Sequence, residues 1–425
     1  MKKQINQIHT KAKRHKTLIQ NFSYLSSLQI FNLIIPLLTY PYLIRTLGSE
    51  KFGLVFFAQA VIGYLVIFVS FGFNLSATKE ISINRENNKK LNEIFSSVII
   101  IKGILFLLSF AFLALILYFL EESEGNKLLF YFTMWRCLYE FLFPLWFFQG
   151  IEKMKYITII TLISRIIFLT LIFIFIREPE HYILVPVMYG IGAIASGVIS
   201  IIIVYNHNVK ISLQPWNKLK YYFKDSFPIF ISNLSTLIAI NTNKVILGIF
   251  AGMQEVAYYE LAEKLSLIMK TPIQLIGQAI YPGVAQKKDQ IFLKKSFAGS
   301  ILLASIIFVF GMIFSDLLIK LFGGENMEGA SYIFQILLGS IFPVTVSLFF
   351  ANIVLISWGY NKDFLKLRIS TNILYAFIVL VLFLINSINL ETLAFTILVV
   401  EIFAAIASVF FTNRKRINFL KPEIL

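Results

Sequence analysis

Residues 29–78 read QIFNLIIPLLTYPYLIRTLGSEKFGLVFFAQAVIGYLVIFVSFGFNLSAT, two apolar runs joined by a short polar hinge at 46–53. Extended to their natural ends they span 22–44 and 53–77. Each exceeds the ~20 residues that cross a hydrocarbon core of ~30 Å at ~1.5 Å per residue. Neither run is apolar all round. Gln59, Gly63, Ser70 and Asn74 fall on one helical face of the second, and Gln29, Asn32, Pro36 and Thr39 on one face of the first. A polar stripe in hydrocarbon is costly unless it lines a cavity or a helix contact, so these faces are expected to border a polar lumen.

The same pattern recurs further along. A shift of 204 positions lays Gly48 on Gly252, Gln59 on Glu263, Val66 on Lys270, Ser70 on Gln274 and Asn74 on Gln278. Ile34/Ile238, Leu43/Leu247 and Ala58/Ala262 are identities in that register. Two similar halves with matching polar faces are the plan of a transporter.

Composition narrows the classes further. The 425 residues are 58% hydrophobic and 14% charged, with a mean hydropathy of +0.77, which excludes a soluble globular protein. The single cysteine, Cys137, lies within an apolar run, and His9, His15, His181 and His207 lie in the tail or in loops. No disulfide framework, metal site or cofactor is therefore expected. No phosphate-binding glycine loop occurs, and no extramembrane segment is long enough to fold a catalytic domain. That leaves a carrier, a channel or an intramembrane enzyme, and the short outer loops then favour a carrier over an enzyme.

Twelve spans are expected, at 22–44, 53–77, 94–119, 128–149, 157–176, 182–205, 228–250, 256–282, 296–319, 330–357, 364–386 and 390–411. They make an all-α integral membrane protein of two six-helix bundles around a central cavity. The division is a basic tail (1–21), an N-terminal bundle (22–205), a cytoplasmic linker (206–227), a C-terminal bundle (228–411) and a second tail (412–425). No small-residue cleavage site follows the first apolar run, so the N-terminal tail is not read as a signal peptide. Twenty-seven Lys and Arg fall on the side of the two tails and five on the other, which places both termini in the cytoplasm. The net charge of +15 is thereby read as a membrane address, without a nucleic-acid partner. Trp216, Tyr221, Tyr222 and Phe223 among the linker lysines are expected to form a short interfacial helix.

Charges inside spans are candidate functional residues by default. The deep cations are Lys102, Arg136, Arg165, Lys244, Lys264 and Lys270, and the deep acids are Glu140, Glu260, Glu263 and Glu401. Arg136 lies ~12 Å into span 4, with Glu140 one turn later on the same face as its expected partner. Lys102 and Arg165 sit about eight residues from the cytoplasmic ends of spans 3 and 5, within snorkelling reach. Lys244 shares a face with Asn233. In span 8, Glu263, Lys270 and Gln274 share one face, Glu260 and Lys264 form an i,i+4 pair, and Pro272 interrupts the helix. Lys270, near the midplane, is the leading candidate to contact a ligand. Glu401 has no cation within a turn on its own helix and is the candidate proton-coupling acid. A cationic lumen suits an anionic head group, Arg forking phosphate oxygens and Lys acting as a point charge.

The run LLTYPYLIRTLGSEKFG, the GFNLSATKEIS that closes span 2, PLWFFQGIEKMKYIT at 144–158 and GYNKDFLK at 359–366 resemble the O-antigen flippases of the Wzx type. These belong to the multidrug/oligosaccharidyl-lipid/polysaccharide exporter superfamily. The resemblance covers essentially the whole chain. It implies alternating access in a bacterial inner membrane. The implied cargo is an undecaprenyl-pyrophosphate-linked oligosaccharide for lipopolysaccharide or similar surface polysaccharide biosynthesis. The implied partners are membrane lipids, a polysaccharide polymerase and its chain-length regulator. The alternatives are a drug/cation antiporter of the same superfamily, for which an acidic lumen is expected, and a polymerase or ligase, for which a sizeable outer loop is expected.

Overall fold

The computed structural model describes residues 2–120, 124–415 and 417. Of the tail assigned to 412–425, residues 416 and 418–425 lie outside the described residues. Among the described residues the regular structure is all helical, with no strand. The order is α1 (Lys2–Ser70), α2 (Phe73–Ile83), α3 (Asn88–Phe119), α4 (Lys127–Thr133), α5 (Trp135–Leu142), α6 (Leu145–Gly150), α7 (Met154–Phe175) and α8 (Leu184–Asn206). It continues through α9 (Trp216–Phe250), α10 (Met253–Lys287), α11 (Gln290–Ile313), α12 (Ser315–Gly323), α13 (Ala330–Gly339), α14 (Ile341–Ser347), α15 (Asn361–Leu384) and α16 (Leu390–Arg414). A π-helical turn, Leu348–Leu355, follows α14.

Eight described helices are long and apolar enough to cross a membrane, which makes this a multi-pass membrane protein. The longest apolar stretch, Ser27–Ile83, holds the first two expected spans. The other expected spans lose the signal for physical reasons. Span 4 is split into α4, α5 and α6, each too short alone, while the apolar parts of α9 and α10 are diluted by polar residues such as Asn233, Asn241 and Asn243, and Gln274 and Gln278.

The break inside α1 falls at Gly48, whose φ of 77° and ψ of 164° belong to the region only glycine enters freely. Gly252, its counterpart under the 204 shift, takes φ 102° and ψ 169° just before α10. The two expected halves thus turn into their second helices through the same rare backbone conformation. At the second turn the packing is close. A Cβ on Gly53 would stand 1.7 Å from the Met253 carbonyl oxygen, so only glycine admits that backbone approach.

The chain separates into two compact units, Met1–Leu47 with Phe57–Thr242, and Gly48–Phe56 with Asn243–Leu425. In the first, α7 packs on α8, α5 on α8 and α2 on α6, around a core that includes Phe95, Trp146, Phe147 and Phe148. In the second, α10 packs on α13 and α15 on α16, with Phe349, Phe350 and Val354 in a core near the end of α10. Large apolar side chains such as Leu107, Ile313 and Leu384 are exposed, as a lipid-facing surface requires.

The stretch expected to be a separate interfacial helix is instead the first part of α9, continuous with span 7. Its approach is fastened to α3. Lys210 N donates to Asn92 Oδ1 at 3.0 Å, Ser212 N to Ser96 Oγ at 2.9 Å, and Ser96 Oγ to the Lys210 carbonyl at 3.3 Å. Val209 and Tyr222 are buried in the first core, where the Tyr222 hydroxyl donates to Glu93 at 3.0 Å.

Candidate functional site

Span 4 is broken by Pro144, which has no N–H to offer the carbonyl of Glu140 four residues earlier. Lys102 from α3, fully buried, supplies the missing donor. Its Nζ stands 2.5 Å from the Glu140 carbonyl oxygen and 2.9 Å from Glu140 Oε1. The same carboxylate accepts from Asn74 Nδ2 at 3.2 Å, and that amide also donates to Ser70 Oγ at 3.3 Å. The polar face of span 2 therefore terminates on the broken fourth span.

Helix spacing pairs Glu140 with Arg136 on its own helix, but the carboxylate is held by Lys102 from another. Arg136 is exposed, and its Nη1 donates to the Gln59 carbonyl at 3.0 Å and to Gln59 Oε1 at 3.4 Å. Lys102 does not snorkel, because its acceptors lie inside the unit. Arg165 is half-buried on α7 and stands 5.7 Å over the ring of Tyr189 from α8, a cation–π contact between neighbouring helices. Asn32 is exposed, and Gln29 and Asn233 are half-buried.

The second unit contains a buried charged cluster. Lys244 Nζ lies 2.5 Å from Glu260 Oε2 and 2.6 Å from Glu263 Oε2, and Lys264 Nζ is 3.8 Å from Glu260 Oε1. Two cations and two carboxylates balance there. Beside it, the fully buried Asn243 donates to the Tyr259 hydroxyl at 2.9 Å and accepts from the Tyr375 hydroxyl at 2.6 Å. Glu263, placed by spacing with Lys270 or Lys264, is thus held by Lys244 from α9. Helix spacing alone does not reveal this, since the partner comes from the preceding span.

Lys270 lies apart from that cluster. Its Nζ donates to the Leu337 carbonyl at 2.7 Å and to Ser340 Oγ at 2.6 Å, at the junction of α13 and α14. Glu401 on α16, which has no cation within a turn on its own helix, interacts electrostatically with Lys270 and with Arg368 from α15. Pro272 does not end α10, which runs on past it. Gln274 is half-buried and Gln278 exposed on the same helix.

Sequence reasoning misses four residues of these networks: Asn243, Tyr259, Tyr375 and Arg368. Arg368 counts with the loop charges there because it lies early in its span. It is the eighth residue of α15, donating to Asn352 Oδ1 at 3.3 Å within the π-helical turn. Such turns mark functional sites often enough to flag it.

The profile of the polysaccharide biosynthesis protein family matches residues 18–288. A protein of Escherichia coli (strain K12), provisionally named an O-antigen transporter, is 28% identical over 366 residues, covering 84% of this chain and 88% of its own. A Shigella dysenteriae protein of the same provisional name is 29% identical over 259 residues, covering 60% and 64%. Among solved structures, the inward-closed lipid II flippase MurJ superposes with a TM-score of 0.72 at 14% identity, over 91% of this chain and 87% of its own. An inward-facing multidrug resistance MATE transporter of the MOP superfamily superposes at 0.69 and 15%, over 91% and 98%. At these identities the two structures establish the fold alone.

Proposed function

We propose that this chain, which belongs to the polysaccharide biosynthesis protein family, is a flippase for a lipid-linked oligosaccharide. Its cargo is an undecaprenyl-pyrophosphate-linked repeat unit, carried by alternating access from the cytoplasmic to the periplasmic leaflet of a bacterial inner membrane. The pyrophosphate and sugars cannot enter hydrocarbon, so a polar lumen shelters them while the polyprenyl tail stays in lipid. Two halves of six spans each, twelve in all, belong to the same reading. The relatives named as O-antigen transporters support it, as does the MurJ-like and MATE-like fold. A polymerase and its chain-length regulator are the functional partners of such a carrier, consuming the delivered unit on the far leaflet.

The observation that carries the proposal is Arg136. It is an exposed guanidinium within a span, steadied by the neutral amide of Gln59, with its helix fixed one turn later by Lys102. A fork of N–H donors on a pinned helix suits phosphate oxygens. Arg136→Ala is expected to lower surface polysaccharide roughly tenfold, the effect of losing about 1.4 kcal/mol of binding. The protein should insert at normal abundance, and Arg136→Lys should keep part of the activity. Undiminished polysaccharide in the alanine variant would overturn the reading. A drug/cation antiporter is not favoured, because cations outnumber carboxylates within the spans.

Orientation has its own test. Reporters fused after Lys90, Pro215 and Gln290 are expected to report cytoplasm, and those after Glu124 and Glu325 periplasm. An outward signal at Pro215 would contradict the arrangement of two halves joined on the cytoplasmic side.

A further inference from the structure

Span 10 is interrupted between α13 and α14, and Pro343 accounts for the interruption. Proline has no N–H for the carbonyl four residues back, and its ring crowds the preceding turn. Ser340 occupies the break with φ −72° and ψ −1°. Lys270 reaches into it from α10, and its two acceptors touch one another, Ser340 Oγ donating to the Leu337 carbonyl at 2.7 Å. A full positive charge is therefore seated on the last carbonyls of a helix, where the aligned peptide dipoles place about half a negative charge.

The first unit uses the same device with a difference. Lys102 holds the Glu140 carbonyl that Pro144 orphans, and it is fully buried and bound to a carboxylate. Lys270 is half-buried, and its hydrogen-bond acceptors among the described residues are neutral. Glu401 and Glu263 act on it electrostatically. Lys102 is a fixed cap, whereas Lys270 is an exchangeable one.

We infer that Lys270 is a positioning residue that links head-group arrival to the shape of span 10. In the empty chain its ammonium caps the end of α13. An arriving phosphate brings a full opposite charge, draws the ammonium away from Leu337 and Ser340, and leaves the break without its charged cap. No covalent step is involved, only the exchange of two neutral acceptors for a charged one. This rests on the flippase reading above.

The test uses the full chain in lipid nanodiscs, with undecaprenyl diphosphate as the probe and uncharged undecaprenol as the control. Thermal stabilisation reports binding, and amide hydrogen exchange over residues 338–345 reports the break. The diphosphate is expected to stabilise the protein and to speed exchange in that segment several-fold, while the alcohol does neither. Lys270→Gln keeps a donor for the carbonyl but no charge. It should exchange like the wild type without lipid and fail to respond to the diphosphate. Lys270→Met should exchange fast already in the empty state. Diphosphate binding without any change in exchange would overturn the inference and leave the flippase reading intact. A Lys270→Gln variant that responds as the wild type does would also overturn it. Absence of stabilisation by the diphosphate would overturn both.

Discussion

Lys244→Met is expected to cost the second unit about 3–5 kcal/mol, the usual penalty for stranding one side of a buried ion pair. Methionine fills nearly the same volume, so the packing survives and the loss is electrostatic. What remains is Glu260, with only 2% of its side chain exposed, beside Glu263, both robbed of a cation within 2.6 Å. Lys264 cannot replace it, standing 3.8 Å from Glu260 on the same helix. The yield of monodisperse protein in detergent and its unfolding temperature should therefore fall sharply. The decisive variant is Lys244→Met/Glu263→Gln, which leaves Glu260 and Lys264 balanced and should recover most of the loss. Lys264→Met alone, at a side chain 28% exposed, should cost no more than about 1 kcal/mol. A single Lys244→Met variant as stable as the wild type would mean that the cluster is not held together by charge.

The contrast between what is legible in the sequence and what is not follows from the range of the interactions. Hydropathy and period are local, so the apolar runs and the polar face of Gln59, Ser70 and Asn74 are read directly. Gly48 and Gly252 are legible as a pair because a glycine at a helix junction reports a backbone conformation, which both adopt. Pairing across helices is not local. Glu140 with Arg136 one turn away reads as an intrahelical pair, yet a lysine thirty-eight residues earlier reaches the carboxylate once α3 packs against α5. Glu263 is misassigned for the same reason, and Glu401 gains neighbours from α10 and α15 that no spacing on α16 announces. One local signal does point across helices. Pro144 and Pro343 each orphan a carbonyl in mid-span, and an orphaned carbonyl in hydrocarbon demands a donor from elsewhere. Lys102, a cation deep in another span, answers that demand at the Glu140 carbonyl, while Lys270 caps the Leu337 carbonyl beside the second break.

Lys102→Met is expected to destabilise the first unit as strongly as Lys244→Met does the second, but the two losses should respond differently to repair. Lys102 serves two acceptors on one residue, the Glu140 carboxylate and the Glu140 carbonyl. Adding Glu140→Gln removes the stranded charge but not the orphaned carbonyl, whose buried dipole still costs about 1–3 kcal/mol. The double variant should therefore recover only in part, where Lys244→Met/Glu263→Gln recovers most. Adding Pro144→Ala supplies the missing N–H from the backbone itself, lets α5 run into α6, and should return the remaining stability. Transport should not return with it. Arg136 lies one turn before Glu140 on α5, so straightening the span turns its guanidinium away from the Gln59 amide that now steadies it. The expected outcome is a triple variant that unfolds near the wild-type temperature and delivers little polysaccharide. If the double variant already matches the wild type in stability, the carbonyl needs no cap, and the role given to Pro144 and Lys102 fails.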